Sequence, residues 1–439
     1  MRRTLMTLVL TAALGAAAPA SAAPTGGNPY AGARGYLDPD WSARAAAQAA
    51  TAGELAPAMS VAARQPTAVW LDSVAAITAG RGLRGHLDAA LAQQQAAGQP
   101  VVATFVLYDL PARSCRRAPN GDFTAAEAAR YKAEFVDPIA AILAEPRYRT
   151  LRIAVVVEPD ALWQVIPVYS FWRCEEARLG GVYLDTIPYV LAKLHPIPNV
   201  SAYLDVAQSN LLGWASNFQP AVELFAAVAA RTPGGVASVD GFAVNAADYD
   251  PVEEPFLDIG MSAGGHSVRQ SRFVDWNDHL EEHTYIDAVY AALRAKGFPP
   301  GIGALVDTAR NGWGGPRRPV APSTSPHLDT FVDESKVDGR RYRYTWCNQV
   351  GAGLGERPRT APRAHVHTYA WITPPGESDG HYSGLPEYGR EPQCDPNQTM
   401  PPIGAHSRMT NAMPGAPPRG EWFPAAFTEL VRNAHPPLS

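Results

Sequence analysis

Short runs of apolar, β-branched residues recur along the chain, each followed by a longer stretch with helical spacing. Ile153-Ala154-Val155-Val156-Val157 is the clearest run. Bounded by polar residues on both sides, it reads as a parallel strand buried on both faces. Comparable runs lie at 68–72, 102–109, 200–205, 239–245, 302–307 and 367–372. The spacing between them predicts helices over 85–96, 125–143, 182–194, 220–230 and 279–296, with a last one at 424–434. Such alternation implies a parallel sheet with right-handed crossovers, and at this length an α/β barrel. No internal repeat and no Ser-, Thr- or Pro-rich linker interrupts it, so a separate binding module is not expected.

Four of these runs end in a carboxylate: Asp109, Asp205 and Asp307 close theirs, and Asp160 follows Glu158-Pro159 just past 153–157. Proline suits a strand end because it has no N–H for the ladder. One such Asp is ordinary, since Asp also caps the next helix. Four at the C-terminal rim, where α/β enzymes keep their chemistry, predict an acidic mouth. Two loops, 312–344 and 374–421, exceed ordinary connection lengths and are expected to wall that mouth.

Composition narrows the class. The chain has 439 residues, 46% hydrophobic and 18% charged, which is globular and large enough for one barrel with insertions. A net charge of −5 gives no basic footprint for nucleic acid. Residues 1–22 carry Arg2-Arg3, an apolar alanine-rich run and Ala20-Ser21-Ala22, the pattern of a signal peptide; the run is too short to anchor a membrane. A secreted protein, without membrane association and monomeric, is expected. Outside the cell, four cysteines favour two disulfides. Three pairings are possible, and neighbourhood in sequence favours Cys115 with Cys174 and Cys347 with Cys394. The cysteines are too scattered for a zinc site, and no metal is expected. Residues 23–65 read as a lead-in packed on the outside of a domain spanning 66–439.

Three patterns carry chemistry. Gly376-Glu377-Ser378-Asp379-Gly380 fits a serine-hydrolase elbow, but Pro374-Pro375 before it and His381 to Pro386 after it do not supply the strand and helix an elbow needs. His279-Leu280-Glu281-Glu282-His283 places two histidines at zinc-ligand spacing if it is helical throughout; a solvated helix start is the simpler reading. Carboxylates are the better signal. Hydrolysis of a sugar acetal needs an acid for the leaving oxygen and a base or nucleophile across the ring, and Asp160, Asp205 and Asp379 are candidates. Ten tryptophans and 17 tyrosines supply flat faces for sugars, with Trp70, Trp214 and Trp346 beside strand ends or loops.

At these residues the chain resembles glycoside hydrolase family 6, the inverting cellulases, and most closely the bacterial cellobiohydrolases. The matching segments include Tyr108-Asp109-Leu110-Pro111, Glu158-Pro159-Asp160, Tyr203-Leu204-Asp205 and Leu212-Gly213-Trp214. Asn245 with Tyr249, Asp307 to Gly312, Trp346-Cys347-Asn348 and Pro374 to Gly380 continue the series in family order over about 66–437. The resemblance implies a distorted, partly open parallel β/α barrel with a cleft or tunnel, β-glucan as substrate, no cofactor, and the two disulfides favoured above. It implies Asp160 as general acid, Asp379 as base and Asp205 as a residue that shapes the site. Tyr108, Arg113 and Arg310 match residues lining the catalytic centre. Trp70, Asp72, Asn245, Trp346 and Glu377 match sugar-binding positions, and Trp214 falls within a matching segment.

The chain also departs from the family. Ala112-Arg113-Ser114-Cys115 stands where the family has Asp-Arg-Asp-Cys, so Ser114 replaces a carboxylate that helps keep the acid protonated and assists the catalytic water. Pro119 replaces a water-holding serine. Gln208 and Leu211 replace a histidine and a tryptophan, and Thr373 replaces a lysine that donates a charged hydrogen bond to a sugar hydroxyl. Losing a like charge at Ser114 removes one means of keeping Asp160 protonated, so burial has to compensate. The alternatives that follow are a glycosidase of shifted specificity and a carbohydrate-binding pseudoenzyme.

Overall fold

A computed structural model describes residues 27–115, 121–166, 172–382, 392–397, 399–400 and 408–438. The signal-like segment 1–22 and Pro119 lie outside the described residues. Among those described, nine strands share one sheet. They are β1 Arg34–Gly35, β2 Val69–Leu71, β3 Val101–Leu107, β4 Arg152–Val157, β5 Val200–Asp205, β6 Gly241–Val244, β7 Ala304–Asp307, β8 Arg359–Thr360 and β9 Val366–Ala370. The order is β1-β3-β4-β5-β6-β7-β9-β8, with β2 also on β3. All pairs are parallel except β8 with β9. The sheet curls until Thr67 meets Trp371 in a single parallel bridge, with the Ala68 N–H donating to the Trp371 carbonyl at 3.0 Å. One bridge in place of a full ladder makes this the distorted, partly open barrel that was expected.

Side chains alternate as a half-closed barrel requires. On β3 and β4, Val102, Val106, Ala154 and Val156 pack inside with Tyr203 and Leu305. Val101, Ala103, Phe105, Leu107, Ile153, Val155 and Val157 face the helices. Both faces are apolar, which is why the strands read as continuous hydrophobic runs.

The helices differ from expectation mostly at their ends. Val182–Leu194 is as predicted. Ala215–Ala230 begins well before Pro220, which lies inside it. Glu282–Ala295 starts later than 279 because Glu281 is the N-cap, its carboxylate accepting the Thr284 N–H at 3.2 Å. Within 125–143 the helix widens to a π turn at Tyr131–Val136. The Tyr131 hydroxyl donates to Glu158 at 2.7 Å, so this local bulge serves the site.

The lead-in is more integral than a packed-on segment. It supplies β1, and helices Pro39–Ala49 and Ala56–Ala62 pack with Pro424–Arg432 around a fully buried Trp41. The Trp41 indole donates to the Pro375 carbonyl at 3.0 Å, tying the lead-in to the loop that carries Asp379. Both favoured disulfides are present, with Cα separations of 4.8 Å for Cys115–Cys174 and 5.2 Å for Cys347–Cys394.

Candidate active site

Two depressions matter. A cavity of about 640 Å³ lies in the barrel seam between β1 and β8, but it holds none of the rim carboxylates. The groove at the C-terminal rim does: Trp70, Tyr108, Asp160, Gln208, Leu211, Asp248, Tyr344, Trp346, Asp379 and Arg419 line it. This groove is the candidate site.

Asp160 reaches it through a strained turn. Glu158 and Asp160 have φ of 44° and 62°, and Ala112, Ser114, Ala207, Asn245 and Ala247 are also left-handed. All follow successive strand ends, at roughly 1–3 kcal/mol each. Three hydrogen bonds hold the Glu158 carboxylate: from the Tyr131 hydroxyl and from the Asp109 and Leu110 amides. Burial nevertheless pushes Glu158 up to about 8. Its role is to fix the turn that presents Asp160. The Asp160 carboxylate accepts from the Trp163 indole and, at 3.4 Å, from the Gln164 amide. Its N–H donates to Asp205 at 3.0 Å. Burial pushes Asp205 up to about 7, and the nearby Asp160 charge adds to this against two backbone donors. Asp205 thus fixes the turn that carries Asp160.

Asp379 is held differently. Its carboxylate accepts from Arg310 at 2.6 Å, the Tyr249 hydroxyl at 3.0 Å and the Asn348 amide at 2.8 Å. Its own N–H returns to the Asn348 side chain at 3.0 Å. Arg310 lies over the Tyr249 ring at 4.2 Å, and both partners of the ion pair are almost buried. A carboxylate offers about four acceptor sites. Three are occupied, leaving one on the oxygen that faces Arg310.

The groove's aromatic walls follow. Trp70 stands edge-on to Tyr108, centroids 5.2 Å apart, and its indole donates across the seam to the Ile372 carbonyl at 2.8 Å. Arg113 and Arg419 approach the Tyr108 ring at 4.4 and 5.0 Å. Burial raises the Tyr108 phenol, but these two guanidiniums outweigh it and bring it below its ordinary value. Ser114 spends its hydroxyl on Tyr108 at 3.2 Å. Gln208 donates to Asp248 at 2.5 Å.

Trp70, Tyr108, Asp160, Trp346 and Asp379 therefore meet in one groove, with Asp205, Arg113 and Arg310 behind them. Four other expected residues stand elsewhere. Asp72 is exposed and gives its carbonyl to Arg113 at 2.8 Å. Trp214 stacks on Tyr344, centroids 5.7 Å apart, and so buttresses a groove residue. Asn245 is fully buried and bonds the Asp250 and Asp307 backbone, a scaffold position. Glu377 pairs with Arg44 at 2.5 Å, and burial pushes it up to about 7 against that arginine. Of the four rim carboxylates, only Asp160 lines the groove. Asp109 is buried, and Asp307 accepts from Ala247, Ala309, Ile372 and Thr373. Neither caps a described helix; both accept backbone N–H groups of the rim loops.

Sequence reasoning gave no role to Tyr249, Asn348, Trp163, Gln164 or Arg419. Tyr249 and Asn348 lay within matching segments, which was the available signal. The other two motifs fall away. Ser378 is buried and donates to the Pro417 carbonyl at 2.8 Å. His279 precedes the helix and pairs with Thr284, while His283 meets the Tyr369 hydroxyl at 2.7 Å, so they share no helical face.

Among the described residues, no helix is long and apolar enough to cross a membrane. Residues 30–434 match the model of glycosyl hydrolases family 6. The chain is 44% identical over 95% of its length to exoglucanase A of Cellulomonas fimi, of which it spans 49%. It is 32% identical over 96% of its length to a probable 1,4-beta-D-glucan cellobiohydrolase C of Aspergillus niger, of which it spans 81%. Among solved structures, the catalytic domain of Cellulomonas fimi Cel6B superposes with a TM-score of 0.90 at 43% identity, over 94% of this chain and 96% of that one. Cellobiohydrolase II (Cel6A) from Humicola insolens, in complex with glucose and cellotetraose, superposes with a TM-score of 0.73 at 27% identity, over 94% and 100%. By its matched length, its fold and the carboxylates of its groove, the chain belongs to glycosyl hydrolases family 6.

Proposed function

We propose that this chain is an exported, inverting glycosidase cleaving β-1,4 bonds of cellulose or cello-oligosaccharides, of cellobiohydrolase or endoglucanase type, acting as a monomer without a cofactor. One observation carries the reading: Asp160 and Asp379 line the same groove, together with the Trp70–Tyr108 pair and Trp346. Asp160, in contact with Trp163 and Gln164, protonates the leaving oxygen. Asp379, anchored by Arg310, Tyr249 and Asn348, accepts a proton from the water attacking the opposite face. Sugar rings stack on the aromatic walls. The signal-like leader and two disulfides support export.

A second reading rests on Ser114. Its hydroxyl is engaged by Tyr108 and carries no charge, so a carbohydrate-binding protein with little turnover is the alternative. Incubating the purified protein with a panel of β-glucans separates the two. Release of short cello-oligosaccharides from β-1,4 glucan, abolished in Asp160→Asn, supports hydrolysis. Binding without release, equal in both proteins, supports the alternative.

A further inference from the structure

Thr373, where related chains carry a lysine for a sugar hydroxyl, is buried and turned away from this task. Its hydroxyl and its N–H both donate to Asp307, at 2.8 and 3.0 Å. The groove itself holds a cation to which the sequence alone gave no role. Arg419 lines it beside Trp70, Tyr108 and Asp379, and its guanidinium lies 5.0 Å from the centre of the Tyr108 ring. Burial pushes its guanidinium down, but the Tyr108 hydroxyl it bonds and the nearby Asp379 and Asp72 charges outweigh this and hold it firmly protonated. Arg419 is positioned by the segment that carries Asp379. The Ser378 N–H donates to Glu421 at 2.9 Å, the Gly420 N–H to Ser378 at 2.9 Å, and the Phe423 N–H to Gly376 at 2.7 Å. Gly420, at φ 78°, makes the turn just after it. Proton base and arginine are thus fastened to one strap.

We propose that Arg419 is a substrate-binding residue: its guanidinium donates to hydroxyls of the sugar lying against Trp70 and Tyr108, the charged contact that Thr373 cannot make. This rests on the glycosidase reading for its ligand, a β-1,4 cello-oligosaccharide. A guanidinium carries five N–H donors, so one shared with the Tyr108 phenol leaves others for a ligand, and their fixed fork suits two neighbouring hydroxyls. A hydrogen bond from a charged donor is stronger than one between neutral groups, so its removal is visible in affinity.

The test is calorimetric titration of cellotetraose into the full-length protein and into Arg419→Met and Arg419→Lys. Melting temperatures are recorded alongside. Met keeps packing on Tyr108 but removes every donor; Lys keeps the charge. The expected result is binding weakened by about tenfold or more in Arg419→Met and by clearly less in Arg419→Lys, with unchanged melting. In steady-state assays KM should rise with kcat nearly constant, the mark of a contact made equally before and during reaction. Arg419→Met binding within twofold of wild type would overturn the proposal, as would equal losses in Met and Lys. Absence of turnover with binding intact would count against the hydrolase reading alone. Absence of binding by the unaltered protein would overturn both.

Discussion

Asp160 and Asp379, which both line the groove, are held in different ways. Asp160 sits on a left-handed residue at a strand end, touched by an indole and an amide that carry no charge. Asp379 lies on a loop, locked by a guanidinium, a phenol and an amide. Among the contacts of the described residues, backbone strain and two neutral donors mark the Asp160 side, and an ion pair marks the Asp379 side. Under the proposed roles, a group that gives up a proton and one that receives it call for different surroundings, and Asp160 stands on a strand rim while Asp379 stands on a strap. The strain on the acid side is spread over neighbouring strand ends, from Ala112 to Ala247.

That contrast can be broken in turn. Asp160→Asn should lower the rate on soluble β-glucan by at least 10²- to 10⁴-fold, the usual worth of general acid catalysis, with little change in melting temperature. A loss below tenfold in initial-rate assays would move the acid elsewhere. Asp379→Ala should behave oppositely in the melting curve. It leaves Arg310 buried without its partner, and breaking such a pair costs about 3–5 kcal/mol. Calorimetric melting that falls equally for both variants would erase the distinction drawn here.

Ser114→Asp sharpens the comparison from the acid side. A second carboxylate near Asp160 raises the pH at which the acid gives up its proton, so the alkaline limb of kcat/KM should move to higher pH and the rate should rise. An unmoved limb would show that Ser114 is too distant or too well shielded by Tyr108.

The smallest effect concerns Asp205. Its folded value, about 7, lies above its ordinary 3.8, so the folded state holds the proton that the unfolded state releases first. Its contribution is therefore fully present below about pH 4 and is lost as pH rises through 7. Asp205→Asn should flatten the fall in melting temperature between pH 4 and 7 while keeping an acceptor for the Asp160 N–H. An unchanged slope, followed by scanning calorimetry, would place the titration elsewhere.

Much of this was legible in the sequence. The run at 153–157 announced β4 because both its faces are buried, and Glu158-Pro159-Asp160 announced a strand end. Asp379 was a candidate as a carboxylate, but its role as base came only through the resemblance, since a loop carboxylate has no periodic signature. The left-handed Ala112, Ser114 and Ala207 could not be read at all: alanine and serine do not signal positive φ as glycine does. Asn245 matched a sugar-binding position, yet its side-chain N–H groups are used by the backbone carbonyls of Asp250, five residues on, and of Asp307, distant in sequence but adjacent on the rim. Glu377 likewise meets Arg44, from a lead-in that had looked peripheral.

The claim that Asp160 gives a proton while Asp379 receives one from water is tested most directly by the stereochemistry of the first product. Proton NMR of a cello-oligosaccharide hydrolysate, recorded before mutarotation, should show the α anomer at the new reducing end, because water enters opposite the departing oxygen. A β anomer formed first would mean a covalent intermediate and two displacements, and would contradict the roles assigned here.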